Sequence, residues 1–308
     1  MADYQLIIVG GGPAGLTAGL YAARARLKTV LLEKGAAGGQ VMMTDWIDNY
    51  PGFPEGISGF ELAEKMIAQA ARFDLETRSN SEVVSMDLQG SEKKVVLADD
   101  TVLTSQAVIL AAGARPNKLD VPGEAEFVGK GVSYCATCDG PFFLNTEIAV
   151  VGGGNTAIQE AVYLTKFAEK VTVIHRRAEL RATKVVQEMA FANPKIEFAW
   201  NSTVTRIEGG AQGVESLTLL NSDGRESKLP VHGVFVLIGT IPNNEMLPAD
   251  QLEMPEGFVK TDLEMRTNLP GVMAAGDIIN KRIRQVINGA GEGAVAAMSV
   301  EHYLAGLD

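Results

Sequence analysis

The chain is poor in thiols, imidazoles and positive charge. Its 308 residues hold two cysteines and three histidines, and 27 basic side chains stand against 38 acidic ones. Two cysteines cannot staple a disulfide-rich scaffold. With only His175, His232 and His302 beside them, they make a poor set for structural zinc, which takes four ligands from one cluster. The net charge of −11 argues against a nucleic-acid partner unless a local basic patch exists. No apolar run approaches the ~18 residues of a membrane span. The longest, AVILAAG (Ala107–Gly113), reads as a buried strand. The N-terminal MADYQLIIVGGG has no basic n-region and enters a strand almost at once, so the expectation is a cytoplasmic protein without a signal peptide.

Glycine, by contrast, is plentiful. Most of the 33 glycines fall in short clusters beside apolar runs, where tight turns can meet ligands. A chain of this length is expected to form two domains. YQLIIV (Tyr4–Val9) is followed by GGGPAG, a helical pattern and KTVLLE, which ends in Glu33. That order is strand, glycine turn, helix, strand, the opening of a doubly wound sheet. It recurs between Glu147 and Arg177, around VVGGGNTA. The expected fold is therefore α/β, with two Rossmann-like dinucleotide-binding domains. A helix is expected near Gly59–Phe73, and a helical tail from about Gly291 to Leu304, with IRQVINGAGEG as the loop leading into it. Two Pro-Asn segments after buried strands, GARPNK (Gly113–Lys118) and GTIPNN (Gly239–Asn244), mark candidate boundaries.

The first fingerprint is Gly10-x-Gly12-x-x-Gly15, with Pro13 and Ala14 at the start of the helix. Its glycines permit the tight turn, the close approach of a pyrophosphate and close helix packing, and the pyrophosphate sits on the helix N-terminus. Glu33 stands where an acidic side chain accepts hydrogen bonds from ribose hydroxyls. The second fingerprint is Gly152-x-Gly154-x-x-Ala157, and its second strand ends in HRRAELRAT. An acid there would repel a 2′-phosphate. His175, Arg176, Arg177 and Arg181 instead offer donors to one, which points to NADP(H). Two sites, one of them suited to NADP(H), leave the other for a bound flavin. Asp277, ending TNLPGVMAAGD, is placed to meet its ribityl or phosphate group.

Both cysteines lie in CATCDG, as Cys135 and Cys138. A structural disulfide over so short a loop stabilises little, and in a reducing compartment a redox-active pair is the better reading. Asp139 can serve as a general acid for the thiolate released in exchange, or as the N-cap of a helix beginning near Gly140.

GGGPAG, GGQ (Gly38–Gln40), NYPGF (Asn49–Phe53), CATCDG, GGGNTA, HRRAELRA, AAGD and RQ (Arg284–Gln285) together resemble bacterial-type, low-molecular-weight thioredoxin reductases over essentially the whole chain. The resemblance implies a homodimer with one FAD per subunit and an NADPH domain inserted into the FAD domain. The boundaries would be 1–117 (FAD), 118–244 (NADPH, with the cysteines) and 245–308 (FAD). Electrons would pass from NADPH to FAD, to the Cys135–Cys138 disulfide, and on to the disulfide of thioredoxin. Cys135 would be the interchange thiol and Cys138 the thiol against the flavin. Further FAD contacts would come from Lys34, Gly38, Gly39, Gln40, Asn49, Val84, Gly113, Gly276, Asp277, Arg284, Gln285 and Val286. Those to NADPH would come from Gly154, Asn155, Thr156, Ala157 and Gly239, beside the basic cluster. Ile283, Gln159 and Thr240 stand where the family often has Tyr, Glu and His. Two alternatives remain open: a reductase of another dithiol protein, and a non-catalytic flavin-binding redox sensor.

Overall fold

A computed structural model of the chain describes residues 2–44 and 46–307. The chain divides into one unit of Met1–Arg115 with Ile241–Asp308 and a second of Pro116–Thr240. The insert thus begins two residues before 118 and ends four before 244.

The first unit is built on β1 (Tyr4–Val9), β2 (Thr29–Leu32), β3 (Glu76–Arg78), β4 (Val83–Asp87), β5 (Lys93–Leu97) and β6 (Val102–Leu110). Their order in the sheet is β3-β2-β1-β6-β5-β4. Helices α1 (Pro13–Arg24) and α2 (Gly59–Ala71) connect β1 to β2 and β2 to β3, and these strands run parallel. The parallel core follows from β1 itself. Ile7 and Val9 enter one apolar cluster and Leu6 and Ile8 the other, so both faces are covered and the strand reads as a continuous apolar run.

From β7 (Ala114–Pro116) the chain enters the second unit. There β8 (Val132–Ser133), β9 (Glu147–Val151), β10 (Lys170–His175), β11 (Ile196–Trp200) and β15 (Gly233–Val236) form a parallel sheet in the order β11-β10-β9-β15-β8. Three antiparallel strands, β12 (Ser202–Gly210), β13 (Gly213–Asn221) and β14 (Glu226–Pro230), form a separate sheet. The division of side chains seen in β1 recurs in β9. Ile148 and Val150 face one cluster, Ala149 and Val151 the other. This unit carries the helices α3 (Ala136–Asp139), α4 (Asn155–Leu164) and α5 (Lys184–Phe191). The chain returns through β16 (Thr240–Pro242), which pairs with β7. In the first unit β17 (Val272–Ala274) then pairs with the end of β6, and α6 (Val286–Ala305) completes the chain.

The two glycine turns are the same device used twice. A Cβ on Gly10 would collide with the carbonyl of Ala111, beyond β6, and one on Gly152 would lie 2.5 Å from the carbonyl of Leu237, beyond β15. Both glycines hold positive φ, +109° and +152°, which side chains rarely adopt.

One expectation is overturned. IRQVINGAGEG is not a loop before the helix, because α6 begins at Val286 and takes in all three of its glycines. A Cβ on Gly293 would strike the backbone carbonyl of Ala14. Here glycine lets α6 pack on the first turn of α1 and does not break the chain. Among the described residues no helix is long and apolar enough to cross a membrane.

Candidate active site

Cys135 and Cys138 form a disulfide, with Cα atoms 5.3 Å apart. The short helix α3 starts between them because Cys135 is its N-cap, and its Sγ accepts the N–H of Cys138 at 3.2 Å. The loop is tied down on two sides. Cys135 N–H donates to Ser133 Oγ at 3.1 Å, and Ala136 N–H donates to Glu160 Oε2 at 3.2 Å. Asp139 does not cap the following turn, Gly140–Phe143, with its side chain. Its carboxylate instead accepts a hydrogen bond from Ser133 Oγ, 2.6 Å from Oδ2. The carboxyl group of Asp139 is therefore held within the dithiol loop and is not used as a helix cap.

Ser133 and Glu160 are the residues that sequence reasoning missed. Glu160 had a signal. It lies three residues after Ala157 and four before Leu164, both buried, so a carboxylate stands on the apolar face of α4. Burial pushes the Glu160 carboxyl above the usual carboxylate range, and the N–H of Ala136 offsets part of that. The folded chain therefore keeps this proton to higher pH than the unfolded chain, where glutamate titrates at about 4.3. The stability that follows is present below the unfolded value and is lost as pH rises through the folded one. Glu160→Gln, which keeps an oxygen for Ala136, should therefore raise the Tm relative to the parent by more at neutral pH than at about pH 4. Equal differences at the two pH values would remove the buried charge as the cause.

The flavin-site candidates all belong to the first unit and the nicotinamide-nucleotide candidates to the second. Gly12 and Gly154 are the N-caps of α1 and α4, both extended and neither bearing a side-chain cap. A Cβ on Gly12 would meet only the Cα of Gly39, at 3.9 Å, and one on Gly154 would meet nothing within 4 Å. Open space over uncapped helix N–H groups fits a pyrophosphate at each turn. Pro13 occupies the first position of α1, where its missing N–H costs nothing. A Cβ on Gly15 would strike the carbonyl of Gly10, so no larger residue lets the helix start there.

Glu33 follows β2, and its carboxylate accepts the N–H groups of Gly11 (2.7 Å) and Gly35 (3.0 Å). Gly38 N–H donates to Gly11 O at 2.8 Å, which sets Gly38, Gly39 and Gln40 beside the turn, and Gln40 donates to Ala114 O. Asn49 donates to Gln285, the N-cap of α6, at 3.2 Å. Val286 opens α6 and packs on the cluster of Val41 and Ile47. Gly113 has φ +71° and its carbonyl accepts Asn243 N–H at 3.0 Å. Lys34 lies 3.9 Å from Glu82. Val84 lies exposed in β4, at a register irregularity.

Asp277 follows Gly276 in a short turn, 3.4 Å from Lys281. Lys281 also pairs with Glu292 at 2.7 Å, and Glu292 holds Gly276 N–H at 2.9 Å. The guanidinium of Arg284 stacks over Phe258 at 4.5 Å, and its Nη1 donates to Lys281 O at 2.8 Å. Its Nε is buried with no partner among the described residues. An orphaned buried donor is costly, and a bound group carrying acceptors fits it.

In the second unit, Asn155, Thr156 and Ala157 form the first turn of α4. Gly153 O accepts the N–H groups of Arg181 (2.8 Å) and Ala182 (3.1 Å), and Asn155 Oδ1 accepts that of Thr183 (2.7 Å). The arginine-bearing loop is thus pinned to the glycine turn. Arg176, Arg177 and Arg181 are exposed, and none forms an ion pair among the described residues. His175 is different, with 5% of its surface exposed. Its Nε2 lies 3.1 Å from Glu179 O, and a Cβ on Gly153 would collide with its ring. Burial, aided by Arg181, Arg177 and Arg176, pushes the imidazole below its usual value. His175 is therefore neutral at pH 7, and the positive charge of this loop resides on the arginines. Gly239 (φ +117°) lies past β15, its carbonyl bonded to Asn117 N–H.

Residues 4–293 match the pyridine nucleotide-disulphide oxidoreductase family. The chain is 44% identical to a thioredoxin reductase of Listeria innocua, covering 98% of this chain and 94% of that protein. It is 47% identical to one of Streptomyces coelicolor, covering 100% and 96%. Among solved structures it superposes on thioredoxin reductase from Streptococcus pyogenes with a TM-score of 0.94 at 43% identity, over 98% of each chain. Two Rossmann-type units, a cysteine pair closed as a disulfide within the second, and identity at this level along nearly the full length place the chain in the thioredoxin reductase family of flavoprotein oxidoreductases.

Proposed function

We propose that this chain is an NADPH-dependent thioredoxin-disulfide reductase, working in the cytoplasm as a homodimer with one FAD per subunit. The observation that carries the reading is the Cys135–Cys138 disulfide inside the nucleotide-binding insert, with the Asp139 carboxylate bonded through Ser133 into the same loop. FAD would be held by Gly10, Gly12–Gly15, Glu33, Lys34, Gly38–Gln40, Asn49, Val84, Gly113, Gly276, Asp277 and Arg284–Val286. NADPH would lie on Gly154–Ala157 and Gly239, its 2′-phosphate on Arg176, Arg177 and Arg181, with His175 as a neutral wall. Bound flavin supplies a two-electron relay between a nicotinamide and a disulfide.

The chain's own part is thiol chemistry. Two electrons and two protons open the Cys135–Cys138 bond. The Cys135 thiolate then attacks one sulfur of the thioredoxin disulfide, forming a mixed disulfide and expelling a thiolate that takes a proton, for which Asp139 is the donor. Cys138 attacks Cys135 in turn, which restores the internal disulfide and releases reduced thioredoxin. Cys135 is suited to the first attack, since the N–H of Cys138 already points at its sulfur and favours the thiolate.

Anaerobic addition of NADPH to the purified yellow protein should bleach its flavin absorbance, and adding oxidised thioredoxin should restore it while thiols appear on thioredoxin. Bleaching without thiol formation on thioredoxin would sink this reading and favour another dithiol partner. Failure of NADPH to bleach the flavin would favour a redox sensor.

A further inference from the structure

Ser133 ends β8 with 4% of its surface exposed, two residues before the first cysteine. Its Oγ has three neighbours: Cys135 N–H at 3.1 Å, Cys135 O at 3.3 Å and Asp139 Oδ2 at 2.6 Å. A hydroxyl carries one proton and two acceptor lone pairs. The backbone N–H must donate to it, so its own proton goes to one of the two oxygens. The 2.6 Å separation falls in the range of a hydroxyl bonded to a carboxylate, whereas 3.3 Å is long for any O–H···O bond. The proton therefore belongs to Asp139 while that group is ionised. When Asp139 carries a proton on Oδ2 it becomes the donor, and the hydroxyl can turn to Cys135 O. Ser133 thus has a partner in either protonation state.

We infer that Ser133 is a positioning residue for proton transfer by Asp139: it fixes the carboxyl against the backbone of Cys135 and favours its ionised form. This rests on the proposed dithiol mechanism and adds to it the residue that holds the acid in register with the sulfurs. The fit is local. Ser133 and Asp139 flank the C-x-x-C loop, and one oxygen atom bonds both the N–H of the attacking cysteine and the carboxylate of the acid. Titratable groups tied to the loop include Cys135 and Cys138 themselves, Glu160 through Ala136 N–H, and Tyr134, whose hydroxyl donates to Glu124.

The test is the pH profile of kcat for thioredoxin reduction by the flavin-loaded enzyme. The limb that reports Asp139 is the one absent from Asp139→Asn. Losing a hydrogen bond to a charged group should lower kcat in Ser133→Ala about tenfold or more, and shift that limb upward by about one pH unit, because the ionised form loses the hydroxyl's hydrogen bond. Ser133→Thr, which keeps the hydroxyl, should leave the limb in place. In an Asp139→Asn background, Ser133→Ala should cost almost nothing further, since the two act as a unit. An unmoved limb in Ser133→Ala, a limb shifted equally by Ser133→Thr, or the same fold loss with and without Asp139 would each overturn the inference. If the alanine variant does not fold, Ser133→Gly, which removes the same hydroxyl, takes its place in both measurements. Failure of the underlying mechanism reads differently, because the parent enzyme would then not reduce thioredoxin at all.

Discussion

Cys135→Ser and Cys138→Ser should each lower NADPH-dependent thioredoxin reduction by roughly three orders of magnitude or more, the scale seen when a member of a concerted catalytic unit is removed. The chain has no third cysteine, so neither thiol can be replaced from within. The two variants should nonetheless fail differently. In Cys138→Ser the remaining Cys135 can still attack thioredoxin, and with no resolving thiol the mixed disulfide should accumulate as a stable covalent species. In Cys135→Ser that adduct should be scarce, because Cys135 is the thiol whose sulfur receives a backbone N–H, at 3.2 Å from Cys138 N, and Cys138 has no such bond in α3. Non-reducing electrophoresis with thioredoxin reads the difference directly. Adducts formed only by Cys135→Ser would reverse the order of the thiols and leave the dithiol scheme standing. Retained turnover in either variant would remove the scheme itself.

What was legible in the sequence is what repeats along it. The apolar runs of β1 and β9, each followed by a glycine turn and a helix, needed no tertiary information, because Leu6–Val9 and Ile148–Val151 are buried on one face or the other. The α6 boundary was not legible. Gly289, Gly291 and Gly293 look like a chain break in one dimension, and only the approach of Ala14 from α1 shows that the gap at Gly293 is filled by another helix. Ser133 carries no pattern at all. It is one of many serines until the fold returns Asp139 to within 2.6 Å of it. His175 was read with the arginines because it adjoins them in sequence, yet a strand alternates its faces. His175 is the last residue of β10 and turns into the core against Gly153, whereas the arginines follow in the exposed loop.

That separation sharpens the expectation for the coenzyme. With His175 buried and neutral, the proposed 2′-phosphate site would draw its charge from Arg176, Arg177 and Arg181. Arg176→Ala with Arg177→Ala should therefore raise the KM for NADPH by roughly 10- to 150-fold per lost contact, the equivalent of ~1.5–3 kcal/mol each for charge-assisted hydrogen bonds. KM for NADH should barely change, since NADH has no phosphate at that position. Stability should hold within about 0.5 kcal/mol, as expected for exposed side chains that form no ion pair among the described residues, so the thermal unfolding curve serves as a control on folding. The loop itself should keep its place, because it is pinned to the glycine turn by backbone N–H groups of Arg181 and Ala182 on Gly153 O and by Thr183 N–H on Asn155, none of which the substitutions touch. Added salt should raise the parent's KM for NADPH and leave that of the double variant nearly flat, because screening acts on the charges that were removed. An equal rise in KM for both coenzymes would mean that the arginines shape the loop and do not read the phosphate, and NADPH preference would then have to be sought elsewhere in the second unit.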